Sequence, residues 1–117
     1  AETIPYPDRF RKALALASRS PCDPKTLTRA ARDHVAKRPE FAVGAGLLAL
    51  HWLVLGYGYD VTAADVRAAY GFAMAAAERL GRADAVRQRA REIATAGAAH
   101  GHANFVRQAL GQALGLP

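Results

Sequence analysis

The sequence predicts an all-α protein: a compact bundle of five or six mostly antiparallel helices in a single domain over residues 1–117. Alanine makes up about a quarter of the chain and has the highest helix propensity of any residue. Apolar residues recur at helical spacing along most of the sequence, and no run shows the strict alternation of a strand. Glycine and proline separate these stretches by short connections, which favours antiparallel neighbours.

Proline and aspartate predict the first two helices. Pro7 suits the first turn of a helix over 7–18. Asp23 as N-cap, followed by Pro24 at the first helical position, is typical of a helix start and predicts a second helix over 24–37. The apolar positions of this second helix share one face. Its basic side chains form the opposite stripe: Lys25, Arg29 and Arg32.

The central stretch, residues 41–59, reads FAVGAGLLALHWLVLGYGY and has no formal charge. It predicts a third helix over 39–56. A bilayer span needs about 20 predominantly apolar residues, and four glycines dilute this stretch, so we expect a buried helix and no membrane span. Thr62 and Asp65 then resemble a capping box. The fourth helix, to residue 80, is apolar nearly all round, which indicates a central position beside the third.

Glycine bounds the last two predicted helices. The fifth, over 83–96, follows Gly81 and is amphipathic, with Arg87 and Arg91 on one face. The sixth, over 102–114, carries apolar residues at helical spacing and ends at Gly115. We find no linker and no second domain in the sequence.

One pattern spans the third and fourth helices. Its residues are Trp52, Leu55, Gly56 and Tyr59, followed by Ala68, Phe72 and Ala75. This spacing is similar to the signature of the tetratricopeptide repeat, over one unit only, residues 52–75. The resemblance implies a helical hairpin in which small residues let two helices cross closely. Residues 56–62 also resemble segments of bacterial proteins, and that resemblance implies no activity.

The net charge of +6 favours an anionic partner, and arginine supplies 13 of the 16 basic residues. The candidate binding surface comprises five basic residues, Lys25, Arg29, Arg32, Arg87 and Arg91. Such residues on amphipathic helices are ordinarily just a solvated face. Nucleic-acid binding would require both groups to merge on one surface that reaches phosphates.

His51 lies within the apolar stretch, and with Trp52 and Tyr57 it forms a candidate pocket for a small ligand. The simpler interpretation is a buried histidine that has a hydrogen-bond partner. His100 and His102 suggest a metal site, but a site of three or four ligands would also need residues elsewhere in the chain. Nothing in their spacing requires a metal, so we expect an ordinary polar loop between helices and no metal site.

No catalytic motif is present in the sequence, and most carboxylates lie at helix starts, where they suit the helix dipole. We therefore expect a non-enzymatic module without a cofactor, which binds a protein partner or a second copy of itself through an apolar, arginine-edged surface. Nucleic-acid binding and small-ligand binding are the alternatives. The single Cys22 excludes an internal disulfide, and residues 1–10 lack the apolar core of a signal peptide, so we expect a cytoplasmic protein.

Overall fold

Six helices make up the fold in the computed structural model, which describes residues 8–96 and 103–115. They are α1 (Asp8–Arg19), α2 (Pro24–His34), α3 (Pro39–Val54), α4 (Ala63–Arg79), α5 (Ala83–Ala96) and α6 (Ala103–Leu114). Within those two ranges no residue belongs to a strand. The predicted all-α class is confirmed.

α3 and α4 form the centre of the bundle. α3 contacts each of the other five helices, and α4 contacts all of them except α1. The pair is antiparallel, because Val54 near the end of α3 shares a core cluster with Val66 near the start of α4. At the opposite end, Ala42 shares a cluster with Ala76. The predicted central pair is therefore confirmed.

Small residues let α3 and α4 cross closely. The alanines at their interface are fully buried: Ala42, Ala45, Ala49, Ala69, Ala73 and Ala76. A Cβ atom added to Gly46 would lie 2.8 Å from the Cβ of Ala73 and 2.9 Å from the carbonyl oxygen of Ala69. Real Cβ atoms essentially never lie so close to other atoms, so any larger residue at position 46 would force the two helices apart.

The predicted helix starts are present. The Asp23 side chain accepts a hydrogen bond from the backbone N–H of Lys25 at 3.1 Å. At α4 the Thr62 hydroxyl accepts from the Asp65 N–H, while the Asp65 carboxylate accepts from the Thr62 N–H. Both capping arrangements satisfy backbone donors that lack a partner inside the helix.

Two predicted helix ends lie too far along the chain. α2 ends at His34 rather than at residue 37. Residues 35–37 form a turn, and Arg38, which precedes Pro39, leaves the helical region with a φ of −136°. α3 ends at Val54 rather than at residue 56. Gly56 adopts a φ of 97° there, and the Tyr57 N–H turns back to the Trp52 carbonyl at 2.9 Å.

Two further helix ends differ by one residue, while the predicted starts of α2 and α3, both bounds of α5 and the end of α6 agree with the structure. α1 ends at Arg19 instead of residue 18, and α4 ends at Arg79 instead of residue 80. The predicted starts at Pro7 and His102 lie outside the described residues. Among the helices that are described, none has both the length and the apolar character that a bilayer crossing demands.

Candidate functional site

Trp52 contacts the other two residues of the predicted pocket, His51 and Tyr57. Its ring lies 4.6 Å from that of His51 and 5.3 Å from that of Tyr57, centroid to centroid, with an edge-on geometry in both cases. However, Trp52 is itself only 6% exposed and fills the space between elements. The three residues are therefore neighbours without lining one common cavity. His51 borders one cleft and Tyr57 borders another.

The turn between α3 and α4 has an unusual backbone. Gly56, Gly58 and Asp60 all adopt positive φ, of 97°, 116° and 50°. Aspartate is among the few non-glycine residues that tolerate this region. The Lys25 ammonium donates to the Asp60 carbonyl at 3.3 Å and so ties the turn to α2.

This turn presents two tyrosines to solvent. Tyr57 is 43% exposed and Tyr59 is 80% exposed, which makes Tyr59 the most exposed large apolar side chain of the described residues. The Tyr57 backbone and ring are both held by Trp52. Contacts with Trp52 thus hold the turn at Tyr57, and both tyrosine rings lie outside the core.

Two depressions flank the tyrosines. A groove of about 300 Å³ is lined by Pro21, Cys22, Asp23, Tyr57, Gly58 and Tyr59. A cleft of about 210 Å³ is lined by Pro24, Lys25, Thr28, Arg29, Leu53 and Asp65. The two are adjacent, because a Cβ atom at Gly58 would lie only 3.5 Å from Pro24. We call Lys25, Arg29, Tyr57 and Tyr59 the turn surface.

The cleft of the turn surface carries excess positive charge. Arg29 meets only the Thr26 hydroxyl, at 3.5 Å, and has no carboxylate partner in the described part of the chain. Lys25 lies 4.0 Å from Asp65, but that carboxylate already accepts from the Thr62 N–H at 2.8 Å. Two cations and one engaged carboxylate therefore face the same cleft.

The other basic residues of the candidate surface lie apart from this cleft or are paired. Arg32 bonds to the carboxylate of its neighbour Asp33 at 2.9 Å. On α5, Arg87 pairs with Asp84 at 3.1 Å, and Arg91 donates to the Leu114 carbonyl. α2 and α5, which are both fully described, make no contact with each other. The structure therefore does not join the two basic groups at a shared helix interface.

His51 differs from the buried histidine of the simpler interpretation. It is half-buried, and within residues 8–96 and 103–115 neither ring nitrogen has a hydrogen-bond partner. Burial lowers the pKa of the imidazole below its usual value near 6.5, and the charge of Arg89 lowers it further. The neutral ring can therefore both donate and accept a hydrogen bond.

Metal ligation finds no support in the described ranges. No three His, Cys, Asp or Glu side chains there are arranged to hold a metal ion. His100 and His102 lie outside the described residues. The Cys22 thiol is half-buried, and its sulfur lies 3.5 Å from the Ser20 carbonyl.

Comparison of the chain with known protein families, curated proteins and solved structures finds no match. The resemblance to a tetratricopeptide hairpin stays a prediction. α3 ends at Val54, so Gly56 and Tyr59 of that pattern lie in the turn and outside the helix.

Sequence reasoning missed the exposure of Tyr59. Tyr59 lies beyond the predicted end of the third helix, and it was not among the predicted site residues. The available signal was the alternation of glycine and tyrosine from Gly56 to Tyr59, because each glycine permits a positive φ that turns the chain outward.

Proposed function

We propose that this chain is a protein-interaction module that binds an acidic, partly apolar segment of a partner protein on the turn surface. The observation that carries the proposal is Tyr59, whose side chain is 80% exposed on a turn tied down by its neighbours. Tyrosine and arginine are enriched among the residues that dominate binding energy at interfaces. The turn surface offers both, next to an apolar floor formed by Pro24 and Leu53.

Preorganisation supports the same assignment. Tyr57 packs edge-on against a buried Trp52, and the Asp60 carbonyl accepts from Lys25. Ordering a flexible loop on binding would reduce affinity, so a turn that is already fixed loses less. Positive φ at Asp60, a non-glycine residue, stores about 1 kcal/mol or more, and such strain is concentrated at functional sites.

Charge favours an acidic partner over a second copy of the chain. Lys25 and Arg29 border the cleft, and the whole chain carries a net charge of +6. Two copies that met through this surface would bring like charges together, which costs free energy. An acidic segment would instead pair with the guanidinium of Arg29, which has no carboxylate partner in the described ranges.

Nucleic acid is the less favoured anionic partner. Arg32, Arg87 and Arg89 each pair with a neighbouring carboxylate. The two basic helices, α2 and α5, do not contact each other within the described structure. A phosphate backbone would need several free cations on one surface.

Selection from a displayed library of random peptides tests the proposal. The immobilised full chain should enrich peptides that combine Asp or Glu with Trp, Phe or Leu. Selected peptides should bind with anisotropy changes that Tyr59→Ser and Arg29→Gln each weaken by about fivefold or more. Matched controls are Leu16→Ser, since Leu16 is 58% exposed on α1, and Arg79→Gln at the end of α4.

Three results would overturn the proposal: no enrichment, enrichment of basic peptides, or equal losses in the control variants. Light scattering on the free chain tests whether a second copy of the chain occupies the turn surface instead. A dimer that Tyr59→Ser dissociates would show that a second copy, rather than an acidic partner, occupies the turn surface.

A further inference from the structure

A second cleft, of about 190 Å³, opens between α1, α3 and α5. It is lined by Ser18, Leu47, Leu48, His51, Arg89 and Ile93. It shares no lining residue with either depression of the turn surface. Three of its lining side chains are aliphatic and three are polar. This composition, an apolar wall with a few polar groups, is typical of small-molecule sites.

His51 is a polar group of this cleft that is available to a ligand. Its ring is half-buried against Trp52 and makes no hydrogen bond to any described residue. Its ring nitrogens are not among the fully buried polar atoms without a partner, so they are reachable from the cleft. A ligand atom that accepts or donates a hydrogen bond can therefore replace water at the imidazole.

Arg89 supplies positive charge at the same cleft. One guanidinium nitrogen pairs with the Glu92 carboxylate at 3.1 Å. A guanidinium has five N–H donors, so this pair leaves donors for a second acceptor. The charge of Arg89 also reaches His51, where it disfavours the protonated ring. A cation beside an unpaired neutral imidazole complements an anion that can accept from both.

Ser18 adds no free donor. Its hydroxyl already donates to the Ala15 carbonyl at 2.7 Å. The donors that remain for a ligand are therefore those of Arg89 and His51. On the other side, Leu47, Leu48 and Ile93 provide an apolar wall. The ligand must combine one anionic end with one aliphatic end.

We propose that the cleft binds a small monocarboxylate with a short aliphatic chain. The carboxylate accepts hydrogen bonds from Arg89 and His51, and the chain lies on Leu47, Leu48 and Ile93. The volume of about 190 Å³ is below the roughly 300 Å³ at which ordinary ligand pockets begin, which favours a small ligand. This site is independent of the proposed function of the turn surface.

Nuclear magnetic resonance of the full chain tests the site with hexanoate as the probe and hexanol as its uncharged match. The ring signals of His51 are identified by their loss in His51→Gln. Hexanoate should shift these signals in a saturable manner, with a dissociation constant on the order of 1 mM or tighter. Hexanol should bind about fivefold more weakly or not at all, since it lacks the charge that Arg89 attracts.

Arg89→Gln should weaken hexanoate binding by about fivefold, because it removes the charged donor. Arg82→Gln removes the same charge from an exposed residue just before α5 and should leave affinity unchanged. Unsaturable shifts, equal affinity for hexanol, or equal losses in both variants would overturn the proposal. The comparison of hexanoate with hexanol uses the unsubstituted chain, so it decides the matter even if a variant fails to fold.

Discussion

The indole N–H of Trp52 donates a 2.8 Å hydrogen bond to the carbonyl oxygen of Ala17, 35 residues earlier in the chain. In a continuing helix, that oxygen would accept from the N–H four residues later. Position 21 is proline, which has no N–H. Trp52 therefore satisfies a carbonyl that the end of α1 leaves without a partner, and it anchors α1 to α3.

Trp52→Phe should destabilise the fold by about 2–4 kcal/mol. The substitution deletes the donor to Ala17, leaves a buried carbonyl unsatisfied and opens a void beside the smaller ring. Urea unfolding measures the loss. Tyr57→Phe is the matched control, because it keeps a ring against Trp52 and removes only an exposed hydroxyl, so its effect should stay within about 0.5 kcal/mol. Equal losses in the two variants would contradict this role of the indole N–H.

Gly46→Ala should destabilise the fold even though alanine is the better helix former. The new methyl group meets Ala73 at 2.8 Å and the Ala69 backbone at 2.9 Å, and the forced separation of α3 and α4 should cost about 1–3 kcal/mol. The control is Gly71→Ala in α4, where nothing lies within 4 Å of the added atom. Alanine has the higher helix propensity and restricts the unfolded chain more than glycine does, so this variant should be more stable by about 0.5–1 kcal/mol. Thermal unfolding that gave both substitutions the same sign would refute the close crossing.

Thr62→Ala should reduce the free energy of unfolding by about 1 kcal/mol, because the hydroxyl no longer accepts from the Asp65 N–H. Asp65→Ala should have a similar effect through the other half of the capping box. The double variant should lose less than the sum, since each half depends on the same local geometry. Chemical denaturation of the three variants and the unsubstituted chain gives the coupling free energy between Thr62 and Asp65. Strict additivity would show that the two bonds act independently.

The free energy of unfolding should decrease as the pH is lowered and His51 becomes protonated. The imidazole pKa is near 6.5 in the unfolded chain and lower in the folded one, so the unfolded state binds more protons between the two values. The stabilisation is present above pH 6.5 and is lost as pH falls through the folded pKa. His51→Gln should flatten the pH dependence of the free energy of unfolding in this range, whereas His34→Gln should not remove the His51 contribution. A wild-type slope retained in His51→Gln would contradict the assignment.

The fold follows from signals that are local in the sequence. Asp23 with Pro24 and Thr62 with Asp65 define helix starts through bonds that span only a few residues, and the structure has both. The central position of α3 and α4 follows from their apolar circumference. Helix ends were less predictable, because the end of α3 depends on whether Gly56 actually takes a positive φ.

The candidate site could be predicted only in part. The spacing of Lys25 and Arg29 places both on one stripe of α2, and they do border one cleft. The contribution of Asp65 to that cleft depends on how α2 lies against α4, which no local pattern states. The separation of His51 from Tyr57 likewise depends on Trp52 filling the core between elements.

The fully buried alanines between α3 and α4 restrict how this chain can diverge. A methyl group has no rotamer to change, so an enlarged residue on one helix finds no flexible neighbour that could yield. In a saturation scan, these positions should accept glycine, serine or cysteine and reject nearly everything larger. A larger residue on one helix would need a compensating smaller residue on the other. The sequence should therefore change slowly at the interface of α3 and α4 and faster on the outer helices.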